Sequence, residues 1–246
     1  MIMKNYIITG ASSGIGESCV KALASDDVRQ IIVGRNIEKL IKLSKELPGE
    51  IFPIKYDLID LENIKSLFLT CSERGFKLDG MVYCAGLDGF WPVKVNQPDK
   101  MQEVMTVNCF AFVEMSKCFY SKSISNDGAS IVAVSSISSL TNEKGMLAYS
   151  MSKAALNSAV KTISKEFVRR RIRVNAILPG GVDTQMAYPK EAMLKGIKND
   201  EITNDNAQPL GIIPTKFISD QILYLLSEQA QYITGELYTV SAGRTY

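Results

Sequence analysis

Seven apolar runs of strand length alternate with longer amphipathic stretches, and this alternation restricts the chain more than any other feature of it. The runs are NYIIT (5–9), QIIVG (30–34), IFPIKY (51–56), DGMVYCA (79–85), ASIVAVSS (129–136), IRVNAIL (172–178) and LYTV (237–240). Most are continuously apolar, the pattern of strands covered on both faces. Amphipathic stretches lie near 14–25, 36–47, 60–74, 97–123, 147–170 and 214–228. The alternation predicts an α/β fold: a doubly wound parallel sheet of about seven strands, with helices on both faces and right-handed crossovers. No repeat, low-complexity tract or Pro/Gly/Ser linker interrupts residues 1–246, so one domain is expected. The stretch 185–213 differs. It is polar, carries KNDEITNDNAQP and holds a short helical pattern at 189–198. A connection of that length reads as a functional segment, a lid over a substrate site.

Composition removes whole classes of chemistry. The chain has no histidine. That excludes Ser-His-Asp and Cys-His catalysis, HExxH metalloproteases and imidazole metal sites. Acid–base work near neutral pH falls to Tyr, Lys, Asp, Glu or Cys, and no metal is expected. A net charge of +2 gives no signal for a polyanion, so no nucleic acid partner is expected. No apolar run reaches the ~18 residues of a membrane span. The opening MIMKNYIITG enters a strand without the series of regions that marks a signal peptide. Five cysteines with no CxxC pair read as reduced thiols. A cytoplasmic protein is expected.

The first strand runs into TGASSGIG (9–16). Gly10, Gly14 and Gly16 let backbone approach a pyrophosphate closely before a helix N-terminus points at the anion. Ser12 and Ser13 add hydroxyl donors where helix caps belong. This is the phosphate turn of a Rossmann fold, although a strand-to-helix turn can also need glycines without any ligand. The second strand ends Val33-Gly34-Arg35-Asn36, with no carboxylate for a ribose 2′-hydroxyl. A small neutral residue followed by a guanidinium suits a 2′-phosphate, which favours NADP(H) over NAD(H). Otherwise Arg35 only solvates the start of the next helix.

Tyr149 and Lys153 stand at i and i+4 in YSMSK, on one face of a helix. A free phenol titrates near ~10, and an adjacent ammonium draws it toward neutrality. Thirteen residues before Tyr149, at the end of the fifth strand, lies Ser136. Strand C-terminal ends are where such sheets bind ligands. A hydroxyl there can hold a carbonyl oxygen beside the phenol, or it can cap a helix.

With these motifs in order, the chain resembles the short-chain dehydrogenase/reductase family over nearly its whole length. The matching segments are TGASSGIG, YDL (56–58), CAG (84–86), the Asn of VMTVNCF (104–110), Ser136, YSMSK and PGGVDT (179–184). The tail QYITGELYTVSAG (231–243) and QPLG (208–211) look most like 3-oxoacyl-acyl-carrier-protein reductases within it. The resemblance implies that Tyr149 exchanges the proton and Ser136 orients the carbonyl. Lys153 would lower the Tyr149 pKa and bind the nicotinamide ribose, and Asn108 would hold a relay water. Gly10, Ser12, Ser13, Gly14, Ile15 and Gly16 would cradle the dinucleotide, with Arg35 at its phosphate. Asp57 and Leu58 would meet the adenine. Cys84, Ala85 and Gly86 would run along the adenosine ribose, and Val182 and Thr184 would hold the carboxamide and phosphates. The family pattern places an amide where this chain has Cys84 and an acidic or amide residue with two glycines where it has Ser241-Ala242-Gly243, and the acyl-carrier-protein reductases often carry an Arg in the glycine turn where it has Ser13.

These observations predict NADP(H)-dependent interconversion of a ketone and a secondary alcohol on a small-molecule or acyl-thioester carbonyl substrate. A sugar, polyol or other small carbonyl is the alternative substrate. A non-catalytic nucleotide-binding or scaffold protein is the alternative of another class. Phe90 and Trp91, with Met186, Tyr188, Met193 and Leu194 of the lid, are the candidate pocket walls. The 97–123 stretch is apolar on more than one face, which predicts a homodimer or homotetramer.

Overall fold

In the computed structural model, residues 3–186 and 208–244 are described, so the expected helical piece at 189–198 and most of the lid lie outside them. Seven strands form one parallel sheet in the order β3-β2-β1-β4-β5-β6-β7. They are β1 (Lys4–Thr9), β2 (Val28–Gly34), β3 (Glu50–Lys55), β4 (Leu78–Tyr83), β5 (Ser125–Val134), β6 (Arg173–Pro179) and β7 (Leu237–Val240). The helices are α1 (Gly14–Leu23), α2 (Ile37–Glu46), α3 (Leu69–Glu73), α4 (Pro98–Met105), α5 (Ala111–Phe119), α6 (Ser138–Thr141), α7 (Leu147–Phe167) and α8 (Thr215–Leu226). The expected fold class is the one observed, with strand ends moved by up to four residues.

The register explains the continuous apolar runs. Ile31, Ile7, Met81, Ile131 and Val174 lie side by side across β2, β1, β4, β5 and β6. This row packs with Phe112, Phe119, Leu156 and Val160 from α5 and α7. One residue further along, Ile32, Ile8, Val82 and Val132 form the next row. It faces Val20, Leu40, Ile218 and Ile222 from α1, α2 and α8. Alternate side chains point to opposite faces, so a sheet covered twice needs apolar residues at every position.

Two stretches depart from the simple reading. The span 60–74 is mostly a 3-10 turn, Ile64–Phe68, followed by the short α3. The span 97–123 is not one helix: α4 and α5 are joined through a π-helical segment, Thr106–Phe110. Five-residue ladders of this kind are marginal and occur where a side chain must be re-aimed; here the buried side chain is Asn108. In the run VRRRIR, Arg169 and Arg171 are exposed while Arg170 and Arg173 turn inward. Arg170 is buried and donates to the carbonyls of Tyr120 and Ser125 and to Asp127. Arg173 donates to the carbonyls of Leu225, Leu226 and Ser227, a cation at the C-terminal end of α8.

The sheet order reverses between β1 and β4, which leaves a crevice beyond their C-terminal ends. Backbone fills it closely. Gly10 has φ of +63°, and a Cβ there would stand 2.9 Å from the Cys84 carbonyl and the Ala85 nitrogen. Gly16 sits in α1 with a virtual Cβ 2.3 Å from the Gly10 oxygen. In an ordinary helix, Gly→Ala stabilises by about 1 kcal/mol. Gly16→Ala is expected to do the opposite, by about 2–3 kcal/mol, because backbone cannot yield as a flexible side chain can. Thermal unfolding should show a midpoint about 5–10 °C lower; an unchanged or raised midpoint would contradict this packing.

Candidate active site

The sequence-selected residues converge on the C-terminal ends of β1, β4, β5 and β6. Thr9, at the end of β1, accepts a hydrogen bond from the Ala85 N–H at 3.2 Å, tying the glycine turn to the end of β4. Ser13 occupies the N-cap of α1, yet its side chain makes no capping bond. The hydroxyl expected to cap the helix therefore stays available to a ligand. Gly14 has φ of +54°, and a Cβ there would lie 3.1 Å from the Thr184 methyl. Thr184 closes the turn from the β6 side. A cleft of about 400 Å³ runs between them, lined by Ser13, Gly14, Ser18, Lys39, Thr184 and Gln185 among others.

Along β2 the fit continues. A Cβ on Gly34 would come within 3.3 Å of the Ser12 hydroxyl. Arg35 is exposed and makes no hydrogen bond or ion pair among the described residues. Asp57 is exposed, and its carboxylate accepts from the Ile59 N–H at 3.2 Å. The side chains of Leu58 and Val182 pack in the two apolar cores, which leaves their backbone to face the cleft. Ile15 also packs against the core. The Cys84 thiol, which stands where an amide was expected to brace the strand, turns to the buried Cys19 thiol.

The glycine cradle, the Ser13 hydroxyl that makes no capping bond and the exposed Arg35 fit a nicotinamide dinucleotide. A Cβ on Gly86 would approach Asn108 Oδ1 at 3.4 Å and Lys153 Nζ at 3.5 Å. Gly86 thus lies between the β4 turn and α7, next to both polar groups.

Tyr149 and Lys153 share the face of α7 turned to β5. Lys153 is 3% exposed, and its Nζ donates to the Val134 carbonyl at 2.8 Å. Burial draws its ammonium down to about 8. The same Nζ lies 5.7 Å from the Tyr149 ring centroid, over its face. Burial pushes the Tyr149 phenol up, its hydrogen bond with Ser136 draws it down, and the Asp88 and Glu143 carboxylates push it up again. In the chain as it stands, the Ser136 hydrogen bond is what draws the phenol down. Ser136 sits where β5 leaves the sheet, and its hydroxyl accepts from the Ser138 N–H at 3.1 Å as α6 begins.

Asn108 is fully buried. Its side chain accepts from the Leu87 N–H at 2.7 Å and donates to the Leu87 carbonyl at 3.0 Å and the Ser152 hydroxyl at 2.8 Å. It holds the loop after Gly86 against α7, beside the lysine. Sequence reading missed Thr9, Ser152 and the Val134 carbonyl. The first two are common hydroxyl residues, and the third acts through its backbone, which carries no sequence signal.

The comparisons with known proteins agree with this geometry. A family model described as short chain dehydrogenase matches residues 4–195. The 3-oxoacyl-acyl-carrier-protein reductase FabG of Thermotoga maritima is 28% identical over 246 residues, covering 98% of this chain and 97% of its own. The uncharacterized oxidoreductase YmfI of Bacillus subtilis is 31% identical over 244 residues, covering 98% of each. A short-chain type dehydrogenase/reductase from Mycobacterium ulcerans superposes with a TM-score of 0.88 at 23% identity, covering 99% of this chain and 91% of its own. A variant of actinorhodin polyketide ketoreductase with NADPH does so at 0.87 and 22% identity, covering 99% and 98%.

The Lys153 position has a consequence for stability. Below about 8, folded and unfolded chains both carry the proton, and the buried charge costs stability. Between about 8 and the ordinary 10.5, only the unfolded chain holds it, so stability rises with pH through that window. Lys153→Met removes the titration. Urea midpoints across pH 7–10 should show the wild type gaining about 1–3 kcal/mol on the variant as pH rises. Parallel curves would mean that the ammonium is not desolvated.

Proposed function

The chain belongs to the short chain dehydrogenase family of oxidoreductases, and from that premise we propose that it interconverts a ketone and a secondary alcohol with NADP(H). The observation that carries the reading is the convergence of Ser136, Tyr149 and Lys153 at the end of β5, with Gly86 beside Lys153. The Ser136 hydroxyl holds the substrate oxygen next to the Tyr149 hydroxyl. In reduction, Tyr149 delivers a proton to that oxygen; in oxidation, it removes the proton from the alcohol. The nicotinamide, when bound, supplies or accepts the hydride at the carbonyl carbon. Lys153 and Gly86 border the space for the nicotinamide ribose. Asn108, by holding Leu87 and Ser152, keeps that border in place, with a relay water as its further role.

Arg35 supports NADP(H) over NAD(H), since a guanidinium that is exposed and has no partner among the described residues can fork onto a 2′-phosphate. A ketoreductase of the same fold carries NADPH. The similarity to the FabG reductase makes a 3-oxoacyl thioester the first substrate to test, and the half-buried Phe90 and Trp91 give the mouth an apolar wall. For assembly we propose self-association through α5 and α7, where Phe110, Val113 and Met151 are exposed. A monomer mass by light scattering would remove that part of the reading.

The test is loss of NADPH absorbance with an acetoacetyl thioester, run beside NADH. Tyr149→Phe is expected to lower kcat by about 10²–10⁴-fold while NADPH still binds. Unchanged turnover in that variant would remove Tyr149 as the proton donor, and a wild type that binds NADPH but turns nothing over would leave the non-catalytic nucleotide-binding role. Arg35→Ala is expected to raise KM for NADPH about 10–100-fold and leave KM for NADH nearly unchanged. An equal change for both cofactors would overturn the assignment of Arg35.

A further inference from the structure

Near its C-terminus the chain turns back toward the active site. Ala242 and Gly243 have φ of +52° and +86°, and the Arg244 N–H donates to the Ser241 carbonyl at 3.0 Å. A left-handed alanine is costly and persists only where its surroundings hold it. Here the Ala242 carbonyl accepts from the Leu210 N–H at 2.9 Å, and Gly243 packs on Pro209. The turn aims Arg244 at Glu143, one hundred and one residues earlier, where Nη2 and Oε1 meet at 2.5 Å. Both side chains are about three-quarters buried, at 30% and 25% exposure.

Glu143 lies on the loop between α6 and α7, just ahead of Tyr149. Its second carboxylate oxygen, Oε2, is buried and has no partner among the described residues. The loop is braced on its other side as well: the Trp91 N–H donates to the Gly145 carbonyl at 2.8 Å, and Phe90 packs on Gly145. The charged groups around the phenol come from three places. Lys153, on the same helix, lies over the ring. Asp88, on the loop after β4, is exposed, and Gly89 next to it packs on the Tyr149 backbone. Glu143 with Arg244 is the third, and Lys144 beside them is exposed. The thiols of Cys84 and Cys109 stand nearer Lys153.

We propose that Arg244 is a positioning residue for Tyr149: by pairing with Glu143 it holds the loop ahead of α7 and offsets part of a carboxylate charge near the phenol. The proposal rests on Tyr149 as the proton-transferring group. A paired charge at this depth is tolerated, whereas a stranded one is costly and acts on its neighbours through a low local dielectric. The same C-terminal turn carries the base of the 208–213 segment, so one ion pair joins that segment to the loop in front of Tyr149.

The charge role makes predictions of opposite sign. Phenolate formation at Tyr149 is read directly as the ultraviolet difference between each protein and its Tyr149→Phe partner across pH. It is read again as the rising limb of alcohol oxidation. Arg244→Ala is expected to move both upward by about half to one pH unit. Below the limb, this gives a loss of about 3–10-fold in oxidation rate. Glu143→Gln leaves Arg244 unopposed and should move both downward. The double variant should return close to the wild type, and Arg244→Lys should largely retain the wild-type limb. A purely structural tie would instead lower the rate equally at every pH, with no opposite shifts. That pattern, or a double variant that keeps the Arg244→Ala shift, overturns the proposal. Should Arg244→Ala fail to fold, the direction of the Glu143→Gln shift decides. The difference titration needs no substrate, so a wild type that turned over no carbonyl would remove the reductase reading and leave this one to be judged by the spectra.

Discussion

Everything at this site depends on how closely two strand ends approach one another. Gly10, at the exit of β1, lies against the Cys84–Ala85 backbone at the exit of β4. Gly16, one turn into α1, lies against Gly10. A side chain at either position would force the strand ends or the helix apart, since backbone atoms stand at 2.3–2.9 Å from a built Cβ. The crevice at the switch in strand order can then receive a phosphate between backbone amides. Thr9 fastens the same junction by accepting from Ala85.

A second constraint is the burial of polar groups that chemistry requires to be polar. Lys153 is almost completely enclosed with one carbonyl partner, and its ammonium is drawn down to about 8. Tyr149 is pushed up by burial and pulled back by Ser136. Neither arrangement suits the stability of the chain without its cofactor. Both are held by a frame whose cost is met elsewhere: the apolar rows on the two faces of the sheet, and buried arginines such as Arg170 and Arg173 that satisfy carbonyls of neighbouring elements. Asn108 belongs to the same frame, because the π-helical segment that carries it turns its amide onto Leu87 and Ser152.

Some of this was legible residue by residue. Tyr149 and Lys153 four apart, glycines directly after an apolar strand, and Arg35 in place of a carboxylate each name a chemistry by type and spacing. The π segment at Thr106–Phe110 was not legible, because an extra residue in a helical ladder leaves the apolar periodicity nearly unchanged. The inward turn of Leu58 and Val182 was not legible either, since an apolar residue at a strand end fits a core and a cleft equally well. The helix α6, four residues of Ser, Leu and Thr, has no hydrophobic period to detect.

By itself the sequence determined the sheet, its parallel sense and the family motifs. These follow from local periodicity and from residue types at short spacing, which physical chemistry constrains within one or two elements. Through the absence of histidine it also confined acid–base work near neutral pH to Tyr, Lys, Asp, Glu or Cys. The tertiary structure decided how those groups are tuned. Whether Lys153 sits at the ring face or beside the oxygen, whether Ser136 reaches Tyr149, and which cation faces Glu143 are set by contacts between distant segments. The pair of Glu143 and Arg244 spans one hundred and one residues. No local pattern signals such a pairing, because its energy depends on a depth and a separation that exist only once the chain has folded.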